Sequence, residues 1–316
     1  MLITYEDAAT LAKVSKTTIK RRVANNSLKT YRENGRSLVN DREVIAIFAR
    51  EDTPPPPLTE CRVIAVCNQK GGVGKTTTVA NLSATLAQQG YRVLAIDGDP
   101  QANLTQVLGV KPENLKTSLF NVLVEDLPIE KATVTPVMEI KSLSLVAANL
   151  DLATAELMLL GKMGREIFLR DAIASQLINY DYIFIDSPPS LGTLTLNALS
   201  AATEVIIPLD MGISATNGAS RLMDTITGVR RINPLLRSVR PLACMVDGTN
   251  LTKDILEWIR DNFQSSIYET MIKRNVKIAE AQTQMKPICL YKPNSEAAKA
   301  YVELAEEVKN KWRVNL

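Results

Sequence analysis

The run Asn68-Gln69-Lys70-Gly71-Gly72-Val73-Gly74-Lys75-Thr76-Thr77-Thr78 constrains this chain more than any other stretch. Before it stands Arg62-Val63-Ile64-Ala65-Val66-Cys67, a short apolar, β-branched run that reads as a buried parallel strand. After it, Val79, Leu82, Leu86 and Ala87 keep helical spacing until Gly90. Strand, glycine-rich loop, Lys-Thr and helix, in that order, form the context of a phosphate-binding loop. Gly71, Gly72 and Gly74 let the backbone turn tightly, so that its N–H groups converge on anionic oxygens, with Val73 and Thr77 completing the cradle. The helix N-terminus adds the positive end of its dipole. Lys75 supplies a point charge for β- and γ-phosphates, and Thr76 offers a hydroxyl to Mg²⁺.

Two further strands end in carboxylates. Arg92 to Ile96 runs into Asp97-Gly98-Asp99-Pro100-Gln101, and Tyr182 to Ile185 runs into Asp186-Ser187-Pro188-Pro189. An apolar strand ending in Asp suits a carboxylate that holds Mg²⁺, usually through water. Glu204 to Pro208 reads as another strand, and Leu242 to Val246 as one that begins only after Pro241. The fold class that follows is α/β, a predominantly parallel twisted sheet flanked by helices, with the ligand at the carboxyl ends of the strands. The chain has no histidine, which removes Ser-His and Cys-His catalysis and leaves the chemistry to Lys, Asp, Thr and backbone groups. Its four cysteines lack metal spacing and read as reduced, buried hydrophobes.

Upstream, Asp52 to Glu60 contains four consecutive prolines and reads as a stiff extended linker over residues 52–60. It separates a small domain, residues 1–51, from a large one, residues 61–316. Residues 1–50 hold ten Lys and Arg against five Asp and Glu, while the remainder is slightly acidic. Thr4 with Asp7 suits a capping box that opens one helix. Ser15 opens a second, Lys16 to about Asn25, packed through Ile19 and Val23. A hairpin turning at Asn34-Gly35 follows, then a helix over Arg42 to Ala49 that Asp41 could cap. This stretch resembles the small winged helix-turn-helix of excisionase and MerR-type proteins. The resemblance implies DNA contact through Lys16, Thr17, Thr18, Lys20, Arg21 and the wing residue Arg36.

In the phosphate loop, Gln69 stands where the standard pattern has glycine, and Lys70 is an added cation. Lys70-Gly-Gly-Val-Gly-Lys-Thr76 resembles the deviant Walker A loop of the ParA/MinD group of P-loop ATPases, and the resemblance runs from about Arg62 to Val308. It implies ATP and Mg²⁺ as ligands and an ATP-dependent homodimer in which Lys70 reaches the partner subunit. Lys70, Lys75 and Asp99 would be catalytic, with Asp99 orienting the attacking water. Thr76, Asp97 and Asp186 would surround the metal. Gly98 takes the place of a commonly larger residue, with no consequence expected. Asp247-Gly248-Thr249-Asn250 would lie near the base, and Arg230, Arg231, Lys273, Arg274 and Lys277 would touch nonspecific DNA.

The function implied is a slow ATPase for plasmid or chromosome partition, stimulated by a ParB-type centromere-binding protein. Its N-terminal domain would bind an operator and regulate its own genes. Alternatives are a MinD-like membrane-surface ATPase, a transcriptional regulator using ATP only as a switch and, least favoured, a metabolic enzyme. The C-terminal Glu303 to Trp312 mixes acidic with basic residues, a poor membrane anchor. With no apolar run near ~20 residues and no signal sequence, a cytoplasmic, nucleoid-associated protein without membrane contact is expected.

Overall fold

The computed structural model describes residues 2–12, 15–24, 28–33, 35–44, 60–135, 137–138, 140–212, 214–247, 249–263 and 267–312. The expected linker, apart from Glu60, and residues 45–49 of the expected third helix lie outside the described residues. Two compact units emerge, residues 1–56 and 57–316.

The first unit contains β1 (Leu2–Thr4), α1 (Tyr5–Leu11), α2 (Lys16–Ala24), β2 (Tyr31–Glu33) and β3 (Arg36–Asn40). Thr4 and Asp7 form a reciprocal capping box at the start of α1. The strands form an antiparallel sheet in the order β1-β3-β2. Glu33 pairs with Arg36 and Gly35 before it has φ of 76°, whereas Asn34 of the expected turn lies outside the described residues. Strand β1 is absent from the sequence reading because three residues are too few to show alternation. Residues 41–44 are helical. At their start the Asn40 carboxamide oxygen accepts from the amides of Arg42 and Glu43, sharing the capping expected of Asp41. Ala8, Ile19, Leu28, Val39 and Val44 form the core.

In the second unit the chain runs β4 (Arg62–Val66), α3 (Lys75–Gln88), β5 (Val93–Asp97), α4 (Asn103–Val107), α5 (Leu119–Val124), β6 (Thr133–Val134), β7 (Leu143–Val146), α6 (Asp151–Leu159) and α7 (Phe168–Ile173). It continues through β8 (Tyr182–Asp186), α8 (Thr193–Ala201), β9 (Glu204–Asp210), α9 (Ser214–Val229), β10 (Ser238–Val246), α10 (Asn250–Asn262), β11 (Ile272–Lys273), α11 (Val276–Thr283), α12 (Ile288–Tyr291) and α13 (Glu296–Trp312). The sheet order is β11-β10-β9-β4-β8-β5-β7-β6. Every pairing is parallel except that of β6 with β7. One sheet face packs against α5 to α10, the other against α3, α4 and α11 to α13. The short β6, β7 and β11 were not legible as strands in the sequence. No helix of the described residues is long and apolar enough to cross a membrane.

Strand β10 begins three residues before Pro241 rather than after it, and Pro208 lies inside β9. A strand residue directs its N–H and C=O to the same side. The Pro241 carbonyl accepts from the Tyr268 amide, on the side away from β9, where β11 does not reach. The Pro208 carbonyl accepts from Asn68, beyond the end of β4. Each missing N–H therefore faces a place without a ladder partner, and both prolines are tolerated.

Arg62 is 1% exposed. Its guanidinium donates twice to the Glu204 carboxylate, at 2.6 Å each, and once to the Val308 carbonyl at 2.6 Å. This joins β4, β9 and α13 at the strand-start edge. Glu204→Ala leaves that cation buried without its carboxylate and is expected to cost about 3–5 kcal/mol of unfolding free energy in urea titration. The double change Arg62→Met with Glu204→Leu recovers most of the loss.

Candidate functional site

Parallel pairing carries the ends of β4, β5, β8, β9 and β10 to one edge of the sheet. There Asp97 pairs in register with Asp186, and Val66 with Asp186 on its other side. The glycine-rich loop leaves β4 at that edge and enters α3. Gly74 caps α3 with φ of 101°, a left-handed backbone that a side chain resists, and no side chain bonds the first amides of the helix. Those amides open onto a cavity of about 660 Å³, lined by Gly71 to Thr77, Asp99, Gln101, Met245, Lys273, Arg274, Asn275 and Gln282.

Lys75 is buried, and its ammonium donates to the Lys70 carbonyl at 3.0 Å. Burial pulls it below its ordinary pKa, while Asp186 and Asp99 pull the other way. Thr76 donates its hydroxyl to Asp186 Oδ2 at 2.6 Å. Asp186 Oδ1 is buried without a hydrogen-bond partner among the described residues. Burial, and then the neighbouring Asp97, hold Asp186 well above the usual carboxylate range. Asp97 is pushed up to about 6 by burial, although it accepts from the Thr105 amide and hydroxyl at 2.8 and 2.7 Å and from the Asp99 amide at 3.2 Å.

Thr76 and Asp186 are thus brought together, whereas Asp97 is engaged in holding the start of α4. Asp99 faces the cavity one turn before Ala102, whose φ of 54° makes the turn into α4 strained. Gly98 matters more than expected. An added Cβ would lie 2.6 Å from the Asp186 carbonyl oxygen, so only glycine permits the close approach of β5 to β8 there.

An orphaned carboxylate oxygen beside a hydroxyl, in front of open helix amides and a buried lysine, fits a triphosphate with a divalent cation. Among the described residues no group of three or more His, Cys, Asp or Glu could hold a metal by itself. Such a cation would therefore depend on phosphate and water oxygens for most of its shell.

A family profile described as an AAA domain matches residues 61–238. The sporulation initiation inhibitor protein Soj of Bacillus subtilis is 42% identical over 252 residues, covering 78% of this chain and 98% of that protein. The chromosome partitioning protein ParA of Myxococcus xanthus is 41% identical over 249 residues, covering 78% and 87%. The chain belongs to the ParA/MinD family of P-loop ATPases. A crystal structure named cobyrinic acid a,c-diamide synthase, from Mycobacterium smegmatis with bound ADP and magnesium, is 38% identical with a TM-score of 0.69. That match covers 81% of this chain and 97% of that one.

The other predicted residues are dispersed. Arg230 and Arg231 follow α9 at the strand-start edge, exposed, whereas Lys273, the last residue of β11, and Arg274 after it lie at the opposite edge and line the cavity. Lys277 donates to both Glu280 carboxylate oxygens, at 2.7 and 2.8 Å. One surface of this unit therefore does not gather all five cations. Asp247 accepts from Thr249 and Thr252 at the start of α10 and does not line the cavity. Gly248 and the Asn250 side chain lie outside the described residues. In the first unit Lys16, Thr17, Lys20 and Arg36 are exposed, with Thr18 and Arg21 on the same helix as the first three.

Sequence reasoning missed Gln282, which donates to the Thr77 hydroxyl at 2.7 Å from α11. It also missed Met245, turned into the cavity by a bulge between Cys244 and Val246 with φ of 54°. Neither residue carries a motif that could have marked it.

Because the folded state binds a proton on Asp97 up to about 6 and the unfolded state releases it near 3.8, ligand-free stability is expected to fall as pH rises through that window. The contribution is about 2 kcal/mol, measured as the difference in unfolding free energy between pH 4 and pH 7. Asp97→Asn should reduce this dependence, leaving the part that buried Asp186 contributes.

Proposed function

We propose that this chain is a DNA-partition ATPase that pairs with a second copy on binding ATP, holds DNA, and is released when a ParB-type centromere-binding partner stimulates hydrolysis. The observation that carries this reading is the doubled cation of the phosphate loop. Lys75 lies buried within the cradle, while the Lys70 side chain, ion-paired with Asp210, is 38% exposed at its edge. The name of the chromosome partitioning relative, ParA of Myxococcus xanthus, supports the cargo-positioning role.

In this mechanism the amides of Gly71 to Thr77 and the Lys75 ammonium bind the triphosphate, and Thr76 and Asp186 would hold Mg²⁺, with Asp97 fixing the strand end beside them. Bound Mg²⁺ would neutralise charge on the phosphate oxygens. Asp99 orients the attacking water. Lys70, entering from the second subunit, stabilises the charge that grows on the γ-phosphoryl oxygens in a loose transition state, as an arginine finger does. Lys273 and Arg274 reach the nucleotide from the cavity wall. Arg230 and Arg231 give a separate contact for nonspecific DNA.

The first unit is read as a winged helix-turn-helix. Lys16, Thr17, Thr18, Lys20 and Arg21 on α2 would face the major groove of an operator, and Arg36 would lie on the wing. The exposed basic side chains of α2 and β3 and the charge excess of residues 1–50 support this reading.

Lys75→Ala is expected to lower ATP affinity at least about a hundredfold, read by equilibrium binding of a fluorescent analogue. Lys70→Ala should still bind ATP yet remain a single chain, with hydrolysis no longer stimulated by partner and DNA. Asp99→Ala should pair on ATP and not turn over. A chain lacking residues 1–50 should keep ATP-dependent nonspecific DNA binding in gel-shift titrations and lose operator binding. Intact operator binding would refute the role given to the first unit.

A further inference from the structure

Within a single chain Lys70 already has a carboxylate. Its ammonium donates to Asp210 Oδ2 at 2.6 Å, in a pair whose side chains are 38% and 20% exposed. Asp210 is the last residue of β9, so the parallel sheet delivers it to the same edge as the phosphate loop. The backbone is tied to the same place. The Lys70 amide donates to Asn68 Oδ1 at 3.0 Å, and Asn68 Nδ2 donates to the Pro208 carbonyl at 2.7 Å. Gly212 leaves room for the pair: a Cβ there would lie 3.1 Å from Asp210 Oδ2 and 3.6 Å from the Lys70 ammonium. Asp210 Oδ1 is buried with no hydrogen-bond partner among the described residues, so the carboxylate depends heavily on Lys70.

We infer that Asp210 is a positioning residue that holds Lys70 within its own chain and thereby sets the threshold for ATP-dependent pairing of two copies. The inference rests on the reading above, in which Lys70 completes the triphosphate site of a second copy. One ammonium cannot serve both anions. When Lys70 reaches across, Asp210 is left partly buried without its cation, and a symmetric pair of chains bears that cost twice. The phosphate loop links this latch to nucleotide. Lys75 donates to the Lys70 carbonyl in the ligand-free chain, and a triphosphate competes for that same ammonium. Nucleotide arrival thus loosens the residue that must move.

The test is sedimentation equilibrium of the full chain with saturating Mg-ATP. Asp210→Asn keeps the shape of the side chain and removes its charge, and is expected to lower the midpoint concentration for pairing about tenfold. Asp210→Glu restores the carboxylate and returns the midpoint toward that of the unaltered chain. Gly212→Ala, which crowds the pair, shifts the midpoint in the same direction as Asp210→Asn by a smaller factor. ATP affinity at concentrations far below the midpoint stays within about twofold in Asp210→Asn, so the effect lies in pairing and not in nucleotide binding. Lys70→Ala remains single with or without Asp210→Asn. If Asp210→Asn leaves the midpoint unchanged or raises it while Lys70→Ala abolishes pairing, the latch is refuted and the functional reading survives. If the unaltered chain stays single with saturating Mg-ATP, the functional reading fails and takes the latch with it.

Discussion

The buried carboxylate of Asp186 governs the geometry around it. It ends the strand between β4 and β5, so its backbone touches both neighbours, and its carbonyl requires glycine at position 98. One side-chain oxygen holds Thr76 and the other is bare. A charged group so deep in the protein is costly unless a cation or proton meets it. Without a ligand, burial raises both carboxyl groups above the usual carboxylate range, Asp97 to about 6. The site is therefore built for a positive charge that the protein itself only partly supplies.

The same logic extends to the lysines. In the ligand-free chain Lys75 rests on the carbonyl of Lys70, and Lys70 rests on Asp210. These are moderate interactions, partly exposed to water, and they compete with a triphosphate that carries far more charge. An interior that satisfies its cations weakly is ready to exchange partners. The strained turn at Ala102, between Asp99 and α4, lies among the same strand-end loops. Rigidity comes from elsewhere: the Arg62–Glu204 pair and α13 secure the opposite edge, away from the chemistry.

The phosphate loop was legible because it needs particular residues at particular spacings, and no tertiary contact has to be known to read it. The strands ending at Asp97 and Asp186 were legible for the same reason, each being an apolar run stopped by a carboxylate. The extent of β10 was not. Proline normally argues against a central strand, and only the pairing geometry reveals that the N–H missing at Pro241 would have faced no partner. Gln282 and Met245 were invisible because they reach the loop from segments about two hundred and one hundred and seventy residues downstream in sequence. The basic residues were legible only as charge, since composition does not record the edge of the sheet on which each one lies.

The amino-acid sequence alone determined the α/β class, the phosphate cradle and the membership of Lys70 and Lys75 in it, because local backbone freedom and side-chain chemistry are written residue by residue. Only the tertiary structure decided which carboxylates meet those lysines. Parallel pairing aligned the ends of β5, β8 and β9, turned Asp97 toward Thr105, gave Thr76 to Asp186 and gave Lys70 to Asp210. Those partners are set by strand order and register, long-range properties that no stretch of the chain carries by itself.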